Sequence, residues 1–251
     1  MKPPAKLKSQ IDSLPLGKPL YYHATASSTM DLAREYAKWG APHGTLVIAE
    51  KQTKGRGRLG RVWASPKGGL YASFIVHPQR LLEEIPQLSL VAGLSVAEAV
   101  RDITGLHPLI RWPNDLLIHE QKVCGILVEA ASGAVIIGVG LNVASDPKKL
   151  PPEATSLRAC AAACTDINAL TLAVCRHLST WYSVWTTSGL APIRESLRYW
   201  MGLFGRLVRI KAGASHFEGT VVDLDEKGRL VVRLDTGLHR ALTVGEVTFL
   251  R

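Results

Sequence analysis

The stretch Lys122-Val-Cys-Gly-Ile-Leu-Val-Glu-Ala-Ala131, then Ser132-Gly133, then Ala134-Val-Ile-Ile-Gly-Val-Gly-Leu-Asn-Val143 decides the fold. Two apolar runs of strand length flank a two-residue turn, the pattern of an antiparallel hairpin. Just upstream, 109–112 and 115–119 read as two more short strands, so consecutive strands with tight turns predict antiparallel pairing. Before them Leu88, Val91, Ala92, Ser95, Val96, Ala99, Val100 and Ile103 recur at helical spacing and stop at Gly105, which predicts a helix over 86–104. Tyr21 and Tyr22 read as a short strand. Ser28 then offers an N-cap, with Asp31 at the third position of a helix running to Trp39. Residues 45–50 and 70–76 are compact apolar strands, and helices are predicted over 168–187 and, beginning at a proline, over 192–201. From Gly205 the texture changes to short β runs, 207–211, 216–224, 229–235 and 247–250, spaced as in a small barrel. The predicted fold class is α+β: a mixed, largely antiparallel sheet flanked by helices, with a small C-terminal β-barrel and a boundary near Phe204.

The 251 residues are 47% hydrophobic and 20% charged, ordinary for a globular chain with a full core, so disordered, collagen-like and coiled-coil classes drop out. Apolar runs such as 134–139 fall far short of the ~20 residues of a membrane span. The opening Met1-Lys2-Pro3-Pro4-Ala5-Lys6 is followed by Lys8, Gln10 and Asp12 instead of an apolar h-region, so no secretory signal is expected. Cys124, Cys160, Cys164 and Cys175 form no CxxC, which predicts a reduced, cytoplasmic setting. Cys160 and Cys164, one helical turn apart, lack His or Cys partners at ligand spacing and read as small core residues. Monomer and homodimer both stay open, with a sheet edge near 134–143 as the place where a second copy would pair.

Thirty Lys and Arg against 21 Asp and Glu give a net charge of +9, which favours nucleic acid, phosphate ligands or an acidic protein. Placement narrows this, because Lys51-Gln-Thr-Lys54-Gly-Arg56-Gly-Arg58-Leu-Gly-Arg61 carries five cations in eleven residues and no acid. Gly55-Arg-Gly-Arg-Leu-Gly60 satisfies GxGxxG, yet no helix opens after it, since Pro66, Gly68 and Gly69 follow. The kinase reading fails as well, because neither HRD nor DFG occurs in the chain. What stands is the chemistry: glycines let backbone N–H groups turn toward a phosphate, and arginines supply forked, permanently charged donors. A solvated loop or an unspecific RNA binder is the alternative. In Arg111-Trp-Pro-Asn-Asp115 the amide and carboxylate at a strand mouth suit a Mg²⁺–nucleotide, or else form an Asx turn without chemistry. Lys122 opens an apolar strand in which Gly125 leaves room for a ligand, a solvated strand end being the alternative.

Gln52-Thr-Lys-Gly-Arg-Gly-Arg-Leu-Gly-Arg61-Val-Trp63, Arg111-Trp-Pro-Asn-Asp115, Lys122-Val-Cys-Gly-Ile-Leu127 and Gly138-Val-Gly-Leu-Asn142 follow the order and spacing of the biotin protein ligases, which the chain resembles from about Ser27 to its C-terminus. The resemblance implies a biotin- and ATP-binding catalytic domain over 1–204 and an SH3-like barrel over 205–251. It further implies activation of biotin as biotinyl-5′-AMP and transfer to a lysine of a biotin carboxyl carrier protein, with ATP and Mg²⁺. Biotin contacts are then Ser28, Thr29, Met30, Gln52, Arg56, Gly57, Arg58, Lys122 and Gly125. Nucleotide contacts are Arg61, Trp63, Asn114, Asp115 and Asn142, with Asp115 toward Mg²⁺. Lys122, Arg58 and Asp115 are the catalytic candidates. Three departures stand out: Met30 where the family often has Asn, Arg111 where it commonly has Lys, and about 20 residues before Tyr21, too few for a helix-turn-helix, so DNA binding is not expected. A lipoate ligase and an arginine-rich nucleic-acid binder are the rival readings.

Overall fold

The computed structural model describes residues 3–160, 166–212, 215–243 and 245–250. Its hairpin consists of β6 (Gln121–Ala131) and β7 (Ala134–Leu141), paired antiparallel with Ala131 opposite Ala134. Ser132 and Gly133 turn the chain with φ of 52° and 75°, the two positive values a type I′ hairpin needs to match strand twist.

Around this hairpin a seven-stranded sheet assembles in the order β1-β2-β3-β7-β6-β5-β4, adding β1 (Leu20–His23), β2 (Thr45–Ala49), β3 (Leu70–Val76), β4 (Leu109–Arg111) and β5 (Asp115–Ile118). Neighbours are antiparallel except β1 and β2, which run parallel because helix α2 (Thr29–Lys38) carries the chain across between them. Ser28 caps α2, its Oγ accepting the Met30 N–H at 3.2 Å. The topology corrects one expectation. β7 is no edge: β3 and β6 occupy both of its sides, leaving no ladder there for a second copy. A hairpin strand announces only its sequence neighbour, and β3 lies far upstream.

Strand alternation divides the sheet's two faces. Leu46, Ile48, Phe74, Val76, Ile137, Val139 and Leu141 join the main core with α1 (Ala5–Ile11), α3 (Leu88–Thr104), α5 (Ile167–Ser188) and α6 (Arg194–Met201). A short α4 (Leu157–Cys160) precedes α5. The intervening Val47, Ile75, Ala134 and Ile136 meet Met30, Ala33 and Ala37 of α2. By the same period of two, Ser73, Gly125, Leu127, Glu129, Gly138 and Gly140 belong to the α2 side.

Beyond α6 come β8 (Leu207–Ala212), β9 (Ser215–Leu224), β10 (Leu230–Arg233), β11 (His239–Leu242) and β12 (Glu246–Phe249), an antiparallel sheet ordered β11-β10-β9-β8-β12. Trp112 joins it to the larger sheet, its buried indole Nε1 donating to the Gly228 carbonyl at 3.0 Å. β11 escapes the sequence reading because three of its four residues are exposed and show no alternation. α1 escapes because only Leu7 and Ile11 mark its buried side. The helix predicted from 86 begins instead at Leu88, after a 3₁₀ turn, Leu82–Gln87, that absorbs Pro86 and its missing N–H. Likewise 3₁₀ geometry over Ala191–Ile193 precedes α6. Cys124 and Cys175 are core residues and Cys160 is half-buried; Cys164 lies outside the described residues. Among the described residues no helix is long and apolar enough to cross a membrane.

A charged clamp ties α3 to α5. His177 Nδ1 lies 3.0 Å from Glu98 Oε2, and Nε2 lies 2.8 Å from Asp102 Oδ2. The hydrogen bond to Glu98 raises the His177 pKa above its ordinary 6.5, against the opposing pull of burial, with Asp102 adding to the rise. Burial pushes the Glu98 carboxyl up, but hydrogen bonds from His177 and Trp181 outweigh it and hold the group below 4.5. Asp102, pushed up by burial and more strongly down by Arg101 and His177, lies below 3.8. A raised histidine contributes stability that is complete below its unfolded pKa and is lost as pH climbs through the folded one. The lowered carboxylates contribute above their unfolded values and lose it in acid. His177→Gln should therefore lower Tm by a few degrees near pH ~5.5 and by much less above pH ~8. An equal loss at both would mean that His177 carries no charge in the fold.

Candidate functional site

Two glycines face each other across the hairpin, Gly125 on β6 opposite Gly140 on β7, and Gly138 faces Leu127 one pleat further along. Side chains are missing where a central sheet normally carries branched ones, and the floor of a cleft results. Their neighbours enforce the glycines. A Cβ at Gly140 would lie 2.5 Å from Trp63 Nε1, one at Gly138 would lie 2.6 Å from Met30 Sδ, and one at Gly125 would lie 3.0 Å from the Trp63 ring.

One end of the cleft is polar and uncharged. Gln52 Oε1 accepts from the Thr29 N–H at 2.7 Å and the Thr29 hydroxyl at 3.1 Å, while Gln52 Nε2 donates to Ser65 Oγ at 2.8 Å. Buried Ser73 on β3 fixes Thr29 from below, its hydroxyl donating to Thr29 Oγ1 at 2.9 Å. The other end is cationic. Lys122, 24% exposed, holds Nζ 5.3 Å from the Trp63 ring centroid and 2.7 Å from Asp115 Oδ1. Its Cε lies 3.4 Å from the Cβ position of Gly125. Arg58 reaches over from the loop, NH1 donating to Asn114 Oδ1 at 2.8 Å, and Asn114 is oriented by donating Nδ2 to the Ile126 carbonyl. Ser73 and Gly125 lie two strands and one pleat apart, so the sheet positions near the polar and cationic ends are separated by roughly 12 Å. Such a cleft suits a ligand with a neutral hydrogen-bonding head, an apolar middle and an anionic tail.

The basic loop between β2 and β3 folds back on itself: Arg56 bridges to Val62, Gly57 N–H donates to the Arg61 carbonyl, and Trp63 N–H donates to the Gly55 carbonyl. Leu59, at φ 56°, and Val62 stand 84% and 80% exposed at its tip. Arg56 is turned away from the cationic end, toward Glu129 and Asp31.

The profile of the Biotin/lipoate A/B protein ligase family matches residues 22–144, and that of the Biotin protein ligase C terminal domain matches 203–250. The chain is 36% identical over 238 residues to the Bifunctional ligase/repressor BirA of Bacillus subtilis (strain 168), covering 90% of this chain and 72% of that protein. The chain belongs to the biotin/lipoate protein ligase family. It is also 33% identical to the Biotin--[acetyl-CoA-carboxylase] ligase of Mycobacterium tuberculosis, covering 90% of this chain and 87% of that one. The biotin protein ligase of Aquifex aeolicus, solved in complex with biotin and ATP, superposes with a TM-score of 0.82 at 32% identity, over 93% of this chain and 99% of that one.

Of the residues singled out from the sequence, Ser28, Thr29, Met30, Gln52, Arg56, Gly57, Arg58, Trp63, Asn114, Lys122 and Gly125 line the cleft of this ligase-family chain. Asp115, Arg61 and Asn142 stand outside that lining. Asp115, only 13% exposed, is a counter-charge: Lys122 sits at Oδ1, and Arg111 donates to Oδ2 at 2.8 Å. That arrangement does not fit a Mg²⁺ ligand, because both oxygens already face cations, and among the described residues no group of three or more His, Cys, Asp or Glu is placed to hold a metal. Asn142 is buried beneath the floor, donating Nδ2 to the Thr155 carbonyl at 3.0 Å, while its Oδ1 meets no hydrogen-bond partner. Cys124 is no nucleophile: burial, with Asp115 adding to it, pushes its thiol far up. Ser73 and Glu129 give no signal in the sequence because each is a single polar residue within an apolar run. Only the register puts them on the α2 side of the sheet, where they hold Thr29 and Arg56 of the cleft lining.

Gly140→Ala tests the floor. The added methyl must displace the Trp63 indole, so unfolding stability should fall by about 1–3 kcal/mol, read from a denaturant midpoint. An unchanged midpoint would show that the indole does not rest there.

Proposed function

We propose that this chain is an ATP-dependent ligase that activates biotin as biotinyl-5′-AMP and transfers it to a lysine of a biotin carboxyl carrier protein. The observation that carries this reading is the cleft itself, with a neutral amide and hydroxyl group at one end and an ammonium at the other, across a glycine floor. A ureido head matches the first end and a carboxylate the second.

In the first half-reaction a biotin carboxylate oxygen attacks the α-phosphorus of ATP. A P–O bond forms, the bond to pyrophosphate breaks, and two mutually repelling anions must meet. Lys122 and Arg58 supply the positive charge that lowers this repulsion in a site shielded from water. Asp115 holds Lys122 in place, and Trp63 covers its other side. A ligand lying along the floor takes the seat the indole occupies, so Trp63 moves to the nucleotide side as the cleft fills. In the second half-reaction a neutral lysine amine attacks the acyl carbon, a C–N bond forms, and AMP leaves with the electron pair of the broken C–O bond. A carboxylate already holding two cations is poorly placed as the base, so the amine's proton passes to solvent and Asp115 remains an orienting group. Closing a loop over a mixed anhydride keeps water from it.

The lipoate reading predicts lipoate-dependent exchange of labelled pyrophosphate into ATP; the present one predicts exchange with biotin and none with lipoate. Lys122→Ala should lower that exchange about 10²–10³-fold with the fold intact. Exchange at the wild-type rate in this variant would remove Lys122 from the chemistry. Tight, steeply salt-sensitive binding to generic RNA, with no response to biotin, would favour the nucleic-acid reading.

A further inference from the structure

The basic loop is the most cationic segment of the chain, yet its first arginine is fully countered. Arg56 NH2 donates to Glu129 Oε1 at 2.8 Å, and NH1 donates to Glu129 Oε2 at 3.0 Å and to Asp31 Oδ1 at 3.1 Å. Arg34 NH2 donates to the same Glu129 Oε2 at 2.6 Å. Two carboxylates and two guanidiniums thus close a neutral group drawn from three segments: Asp31 and Arg34 one turn apart on α2, Glu129 on β6, and Arg56 on the loop. Glu129 reaches this group because alternation along β6 puts it on the same face as Gly125 and Leu127. The fork of Arg56 on Glu129 is bidentate, the geometry that fixes a guanidinium in direction as well as position. On the far side of Gly57 the backbone then delivers Arg58 to Asn114.

We infer that Asp31, Arg34 and Glu129 form a counter-charge latch that holds the basic loop down through Arg56, so that Arg58 is presented to the cleft and the loop opens only when this group comes apart. Resting on the proposed function, the latch sets how long the activated acyl group stays enclosed before the acceptor lysine arrives. Glu129 is a positioning residue: it touches the loop and leaves the ligand to others. Arg56, expected along the ligand, lines the cleft and is also the loop's tether. Glu129→Gln has a definite consequence, since Arg34 and Arg56 would then converge on one neutral amide oxygen, and their mutual repulsion adds to the lost attraction.

The test needs no ligand for its first arm. Wild type, Glu129→Gln and Glu129→Asp are digested with trypsin, and cleavage after Arg58 and Arg61 is timed by mass spectrometry. Loop cleavage in Glu129→Gln should be about five- to tenfold faster, while cleavage elsewhere is unchanged, and Glu129→Asp, which keeps a carboxylate between Arg34 and Arg56, should recover part of the protection. Cleavage of the loop at the wild-type rate, or acceleration spread over the whole chain, would overturn the latch. In the second arm the adenylate is formed from biotin and ATP, free ligand is removed, and the bound intermediate is followed without acceptor. Its loss should quicken in Glu129→Gln by a similar factor, and biotin-dependent pyrophosphate exchange should fall by no more than that factor, because Arg58 is presented for less of the time. Unchanged loss would overturn the retention role. Wild-type protein that performs no biotin-dependent exchange would contradict the proposed function, and the digestion would still decide the latch.

Discussion

Gly125 opposite Gly140 is the constraint on which the rest of the molecule depends. A pair of facing residues in mid-sheet is ordinarily the place to bury two branched side chains, each contributing about 1.5–3 kcal/mol. Here that contribution is given up, and the space goes to a cleft. The surrounding sheet makes the omission tolerable. On the opposite face Ile137, Val139 and Leu141 are buried in the main core against the helical layer, so β7 remains anchored although Gly138 and Gly140 carry no side chain on its α2 side. α2 fills the other half through Met30, Ala33 and Ala37 and stops where the glycines begin.

Charge is distributed over this frame with restraint. The chain carries a net charge of +9, yet around the cleft the cations are mostly paired: Arg56 with Glu129 and Asp31, Arg111 and Lys122 with Asp115. Arg58 meets an amide oxygen, and Lys122 shares the Asp115 carboxylate with Arg111. Positive charge is therefore available at the end where an anion reacts and is neutralised where the loop is merely held. This pattern differs from a nucleic-acid surface, where cations line a groove with stacking aromatics between them.

Local pattern carried much of the fold into the sequence. α3, the β6–β7 hairpin and the Ser28 cap are each decided by residues within a few positions of one another, and the loop from 51 to 61 declares its affinity for anions through composition alone. What stayed hidden depends on contacts between distant segments. β7 gained its second neighbour, β3, from far upstream, so the strand was taken for an edge. Asp115 read as a metal ligand because its neighbours in the sequence are a proline turn and an asparagine. Only strand pairing sets Lys122 and Arg111 at its two oxygens. Glu129 and Ser73 gave no signal at all, each a single polar residue in an apolar run whose role is fixed by which face it occupies.

As the cleft fills, the glycine floor passes from the Trp63 indole to the ligand, while Lys122, still beside Asp115, meets the reacting anion. A crystal structure with a non-hydrolysable analogue of biotinyl-5′-AMP tests this most directly. The acyl chain should lie over Gly125 and Gly140, with Trp63 displaced from both and Lys122 Nζ within hydrogen-bond distance of the analogue's acyl-phosphate region. An analogue bound with Trp63 still seated on Gly140, or with Lys122 Nζ out of its reach, would contradict it.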